Sequence, residues 1–112
     1  MKQDTECKLL EETAELFKAL GDTTRMHMIN ILASGEKKNV SVTELANMMN
    51  ITQPAVSQHL KTLKNARIVQ AKKVGNHTYY MFNEESMLDF KKNVDYLFGC
   101  IFEKCDQMDK ER

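Results

Sequence analysis

No aspartate or glutamate occurs between Ile51 and Phe82, although the chain of 112 residues carries 16 acidic and 16 basic side chains. A third of the molecule without carboxylate is not an ordinary mixed-charge surface. Any apolar run of membrane-spanning length is also absent, so the sequence offers no helical span and no membrane partner. The opening stretch, MKQDTECKLLEETAEL, is acidic and amphipathic where a secretory leader is basic and then apolar, which predicts a cytoplasmic protein. Cysteine is scarce and odd in number. Cys7, Cys100 and Cys105 lie at opposite ends of the chain without a CxxC, which argues against a disulfide framework or a redox dithiol and predicts reduced thiols. The spacing of these thiols and of His27, His59 and His77 suggests no nucleophile paired with a base, so an enzyme is not expected.

What is present fits one small domain over residues 1–112, 42% apolar, whose modest core leaves room for stabilisation by a subunit interface. The formal net charge of zero conceals a segregation. Residues 1–50 hold 6 bases and 8 acids, and residues 84–112 hold 5 and 8. Between them Lys61, Lys64, Arg67, Lys72 and Lys73 stand without an acid. Such a patch attracts a polyanion through charges within about 8 Å, the Debye length in physiological salt. A solvated basic face is the plain alternative.

Helix signals give the patch a framework. Leu9, Thr13, Leu16, Phe17 and Leu20 share one helical face, and Gly21 is placed as its C-terminal cap. Asp22 is placed to cap a second helix reaching about Ser34, with Met26, Ile29 and Leu32 inward and Gly35 closing it. The stretch GEKKN reads as a surface loop. Ser41 and Glu44 form a capping box for a third helix over 42–49. Thr52 then caps a fourth from about Gln53 to Asn65, with Pro54 in the first turn, where no N–H is required. Two short helices joined by a tight turn over about 42–65, with basic residues following, predict a helix-turn-helix. The alternating, β-branched and aromatic run over about 68–82, centred on Gly75-Asn76, predicts a β-hairpin wing. A last helix over about 85–108 places Met87, Phe90, Val94, Leu97 and Ile101 at steps of three and four, with Phe98 and Cys105 beside them, and calls for a partner helix.

Together LFKALGDTTRMHMINIL (16–32), SVTELANMMNITQPAVSQHLKTLKNARIV (41–69) and VGNHTYYMF (74–82) resemble the ArsR/SmtB family of winged helix-turn-helix transcriptional repressors. The resemblance implies a mainly α fold with a small β-hairpin wing, dimerising through its first and last helices. It also implies a homodimer bound to a double-stranded operator of inverted-repeat symmetry, released when a metal ion or other effector binds.

Seen this way, the missing carboxylates have a physical cause: phosphates repel them. On the fourth helix Val56, Leu60 and Leu63 are expected inward, while Gln53, Ser57 and Gln58 face the groove, where glutamine can pair bidentately with adenine. Thr52, Lys61 and Lys64 are assigned to phosphates, and Lys72, Lys73, Asn76 and His77 of the wing to backbone or minor groove. For any one of them the alternative is an ordinary exposed polar group. His59, flanking the inward face, is expected to be packed and hydrogen-bonded.

The effector is less legible, because the sequence departs from the family's metal sites. Ser41 and Thr43 stand where the family's metal box has two cysteines, and hydroxyls do not replace thiolates for soft cations. The zinc positions on the last helix read Glu84, Ser86, Leu97 and Cys100, with no imidazole. Arg67 replaces a frequent glycine, which weakens a helix cap by about 1 kcal/mol. Cys7, Cys100 and Cys105 are left as metal or redox candidates, for a thiophilic metal or metalloid ion or an oxidant. Cys100 and Cys105 are about 140° apart around an ideal helix, so convergence calls for fraying or for Cys7 of either chain. Two alternatives stay open: thiols that sense nothing, and a regulator answering to an organic ligand, a partner protein or no effector.

Overall fold

The computed structural model describes residues 2–35 and 39–111, with side chains described over 5–35 and 39–107. In the expected GEKKN loop, residues 36–38 therefore lie outside the described residues.

Helix α1 spans Lys2–Leu20 and buries Thr13 and Ala19. It ends before Gly21, but Gly21 does not take the left-handed conformation of a C-cap. Its N–H reaches the Lys18 carbonyl at 3.3 Å, and a Cβ there would stand 3.2 Å from the Phe17 carbonyl oxygen. Glycine here eases a close approach and does not supply a positive φ. Asp22 caps α2 (Thr23–Ser34) by accepting from the Arg25 N–H at 3.0 Å, and Gly35 closes the helix at φ 65°. The inward residues of α2 are Met28, Ile29 and Leu32, whereas Met26, expected inside, is 49% exposed. Apolar residues run almost all round this helix, so periodicity alone does not fix its buried arc.

A short strand β1, Val40–Ser41, precedes α3, Val42–Met49. It was not expected, since two residues carry no period. Helix α4 covers Gln53–Asn65, β2 covers Val69–Val74, β3 covers His77–Phe82 and α5 covers Glu84–Glu111. The antiparallel sheet has the order β1-β3-β2, with Val40 opposite Tyr80 and Val69 opposite Phe82. Gly75, at φ 62°, supplies the positive φ that a type II′ hairpin needs at its first central residue.

Met28, Leu45, Val56, Leu60, Leu63, Ile68 and Val69 are fully buried and join α2, α3, α4 and the sheet in one core. Each contributes about 1.5–3 kcal/mol of transfer free energy. Helix α5 is held at its start, where Asn83 Oδ1 accepts from the Ser86 N–H at 3.3 Å and Asn83 Nδ2 donates to the Arg67 carbonyl at 3.0 Å. Phe90 and Leu97 pack down, with Phe90 edge-on to Phe17 of α1 at 5.2 Å. The radius of gyration is 17.7 Å, against about 13 Å for a compact chain of this length, because α5 runs on past the body.

Candidate nucleic-acid interface

Three local devices set the geometry between α3 and α4. Ser41 Oγ accepts from the Glu44 N–H at 3.2 Å and donates to the Glu44 carboxylate at 3.3 Å, which fixes the start of α3. Asn50 ends α3 at φ 55°, a conformation asparagine tolerates, and the Ile51 N–H returns to the Ala46 carbonyl at 3.2 Å. Thr52 Oγ1 then accepts from the Ala55 N–H at 3.3 Å and starts α4. The turn is thereby specified at both ends, and the angle between the two helices follows from it.

Val56, Leu60 and Leu63 have no exposed surface, so one face of α4 is fixed against the core. Gln53, Ser57, Gln58, Lys61 and Lys64 are exposed on the remaining surface of the same helix, and Thr52 is exposed at its N-cap. Lys72, Lys73, Asn76 and His77 are exposed around the tip of the hairpin, where the His77 ring lies tilted against Tyr79 with centroids 6.3 Å apart. All ten residues singled out from the sequence are therefore open to a ligand, and no carboxylate lies between positions 51 and 83.

A clasp that sequence reasoning only partly foresaw holds α4 from behind. Arg25 Nε donates to the Ala19 carbonyl at 2.6 Å, and Arg25 Nη1 lies 3.3 Å from His59 Nδ1. A guanidinium can only donate, so this contact is a hydrogen bond when the ring presents Nδ1 as its acceptor. Asp22 Oδ2 lies 3.9 Å from the same Nδ1. The Arg25 N–H bonded to Asp22, reinforced by the Arg25 charge, holds the Asp22 carboxyl below the usual carboxylate range. His59 is thus packed and hydrogen-bonded, as expected. No sequence pattern pairs it with Arg25, 34 positions away.

The thiols are arranged differently. Cys7 and Cys105 are exposed and Cys100 is half-buried. Helix α5 is unbroken through Cys100 and Cys105, so the fraying that convergence on one ion would need does not occur. Among the described residues no three histidine, cysteine or acidic side chains come together as a metal site. With hydroxyls at Ser41 and Thr43, the donor set of a single chain does not fit a resident metal. Cys100 does meet Tyr96 one turn earlier, and the hydrogen bond between them pushes the Tyr96 phenol up.

The family model described as bacterial regulatory protein, arsR family, matches residues 22–71, which run from the cap of α2 into the wing. An uncharacterized HTH-type transcriptional regulator of Methanocaldococcus jannaschii is 37% identical over 78% of this chain and 96% of its own length. The chain belongs to the arsR family. The arsenical resistance operon repressor of Bacillus subtilis is 30% identical over 90% of this chain and 91% of its own. The solution structure of a homodimeric winged helix-turn-helix DNA-binding domain from Mycobacterium bovis superposes with a TM-score of 0.67 at 26% identity, covering 93% of this chain and 87% of that one. The arsR-family fold is thus a winged helix-turn-helix, and the protein is a DNA-binding transcriptional repressor of that family. No described helix is long and apolar enough to cross a membrane.

Proposed function

We propose that the protein acts as a homodimer on an operator of inverted-repeat symmetry, each chain presenting α4 to the major groove and its wing to the flanking backbone. The observation that carries this reading is the exposed polar row of α4, anchored by a fully buried opposite face within a segment devoid of carboxylate. Gln53, Ser57 and Gln58 read bases, Thr52, Lys61 and Lys64 hold phosphates, and Lys72, Lys73, Asn76 and His77 engage backbone or minor groove. The dimer is supported by Leu10 and Phe17 on α1 and Phe98, Ile101 and Phe102 on α5, all about half-exposed or more in one chain. Duplexes selected from a random pool should be two-fold symmetric, with half-sites one helical turn or more apart. On the selected duplex Gln58→Ala should lose about 1–3 kcal/mol of base discrimination, whereas Lys72→Ala should weaken all sequences alike. Selection of asymmetric sites, or equal loss of preference in both variants, would contradict the assignment.

A second reading concerns release, and the exposure of Cys7 and Cys105 together with the Tyr96 contact of Cys100 favours a thiol-directed inducer. All three thiols lie on the proposed dimer helices, so their modification would alter the spacing of the two recognition helices. A hundredfold loss of affinity corresponds to about 2.7 kcal/mol of coupling, within the ordinary range. The Cys7→Ser, Cys100→Ser, Cys105→Ser triple variant should bind DNA and fail to release it with arsenite, cadmium or a persulfide donor. Release at wild-type inducer concentration would make the cysteines bystanders.

A further inference from the structure

We propose that the groove between the end of α4 and the edge strand β2 is an anion site that seats one backbone phosphodiester of the bound duplex, with Arg67 as its central donor. The inference rests on the reading of the chain as a duplex-binding protein and extends it to a residue outside the recognition helix and the wing tip.

The groove has a volume of about 570 Å³ and is lined by Lys64, Arg67, Gln70, Lys72, Met81 and Asn83. Three of these are cations and none is an acid. Among the described residues, Lys64, Arg67 and Lys72 form no ion pair. Three like charges around one concavity repel one another until an anion sits between them, so the groove is electrostatically incomplete by itself. A guanidinium offers parallel N–H donors that match two phosphate oxygens, and the flanking ammonium groups add point charge.

The backbone at Arg67 carries the second part of the argument. Arg67 adopts φ 61°, a left-handed conformation that strains an arginine and would be free of strain for glycine. The position is over-determined. The Arg67 N–H bonds the Lys64 carbonyl at 2.9 Å, the Ile68 N–H bonds the Leu63 carbonyl at 2.9 Å, and the Arg67 carbonyl accepts from Asn83. The cap that stops α4 thus also fixes the root of the Arg67 side chain at the groove. The strain is retained at a residue that borders the cationic groove.

The source of the anion follows from continuity. Lys61 and Lys64 stand one turn apart on α4, so the groove extends the row already turned toward DNA, and Lys72 leads from it to the hairpin. A duplex lying along this row brings its phosphates to the groove. On its other side Arg67 borders a cleft lined by Glu12, Glu15 and Asp89. A guanidinium turned into that cleft would be neutralised by the acids and contribute nothing to a duplex, which makes the proposal testable.

Arg67→Gly removes the charge while relieving the backbone, so weaker DNA binding by this variant cannot come from loss of fold. Thermal unfolding should show it at least as stable as the wild type. Fluorescence anisotropy with a mixed-sequence duplex of about 30 bp, over about 50–200 mM salt, should show weaker binding and a slope of log K against log salt smaller by about one per bound chain. Arg67→Lys should keep the wild-type slope. An unchanged slope in Arg67→Gly, or an equal loss in Arg67→Lys, would overturn the phosphate seat while leaving the duplex reading intact. A wild-type protein that binds no duplex would overturn both. Calorimetric titration with inorganic phosphate should show no saturable binding, and saturable binding abolished by Arg67→Gly would assign the groove to a free anion instead of the duplex.

Discussion

At the scale of single residues, the same side chain often serves the backbone and the site together. Asp22 caps α2, neighbours His59 on the recognition helix, and sits beside the arginine that ties both to the end of α1. Its carboxyl is held below the usual range mainly by the Arg25 N–H. A lowered folded value means that the ionised carboxylate stabilises the fold at all pH values above the unfolded value, and that this contribution is lost as pH falls through the folded one. Asp22→Asn keeps a capping oxygen but has no proton to gain. The stability difference between wild type and Asp22→Asn should therefore shrink as pH falls below the ordinary aspartate value of 3.8, measured by urea unfolding. A difference independent of pH across that range would show that the carboxylate charge plays no part. Arg67 is the converse case, a residue legible in the sequence as a missing glycine and as one base of the acid-free segment. Its positive φ and its place at a cationic groove belong to the folded chain.

At the scale of elements, helix starts were the most legible features, because a cap is a short-range interaction written within four residues. Ser41 with Glu44, Thr52 before Pro54, and Asp22 before the second helix all make the expected bonds. Ser41→Ala should destabilise the protein by about 1 kcal/mol, seen as a lower urea midpoint at unchanged slope. It should also weaken DNA binding, since α3 sets the angle of α4. A variant with wild-type stability would show that the sheet pairing of Val40 and Ser41 suffices to start α3. The buried arc of α2 holds Ile29 and Leu32 as expected but excludes Met26, for a different reason. Met26, Met28, Ile29, Ile31 and Leu32 surround the axis, and only packing against α1, α4 and β3 selects Met28 over Met26. Strand β1 went unseen because it is defined by pairing with β3, across about forty residues of sequence.

At the scale of the whole molecule, α5 dominates the shape, reaching beyond the body in a molecule 61 Å long and 28 Å across. Phe98 is 48% exposed, Ile101 48% and Phe102 66%, more apolar surface on one helix than a lone chain ordinarily leaves open. If a second chain covers it, Ile101→Glu should convert the dimer into monomer at micromolar concentration by analytical ultracentrifugation, with far-ultraviolet circular dichroism unchanged. Operator affinity should fall with it, because two half-sites are then no longer held together. A dimeric Ile101→Glu variant would move the interface elsewhere.

Charge segregation, helix caps, the hairpin turn and the inward face of the recognition helix are short-range properties, and the sequence by itself determined them. They were enough for the arsR family and for an exposed polar row along α4. The tertiary structure decided which arc of α2 is buried, that Val40 and Ser41 join the sheet, that Arg25 clasps His59, and that Arg67 stands with Lys64 and Lys72 around one groove. Each of these depends on residues far apart in sequence meeting in space, and local periodicity and capping rules contain no term for such a meeting.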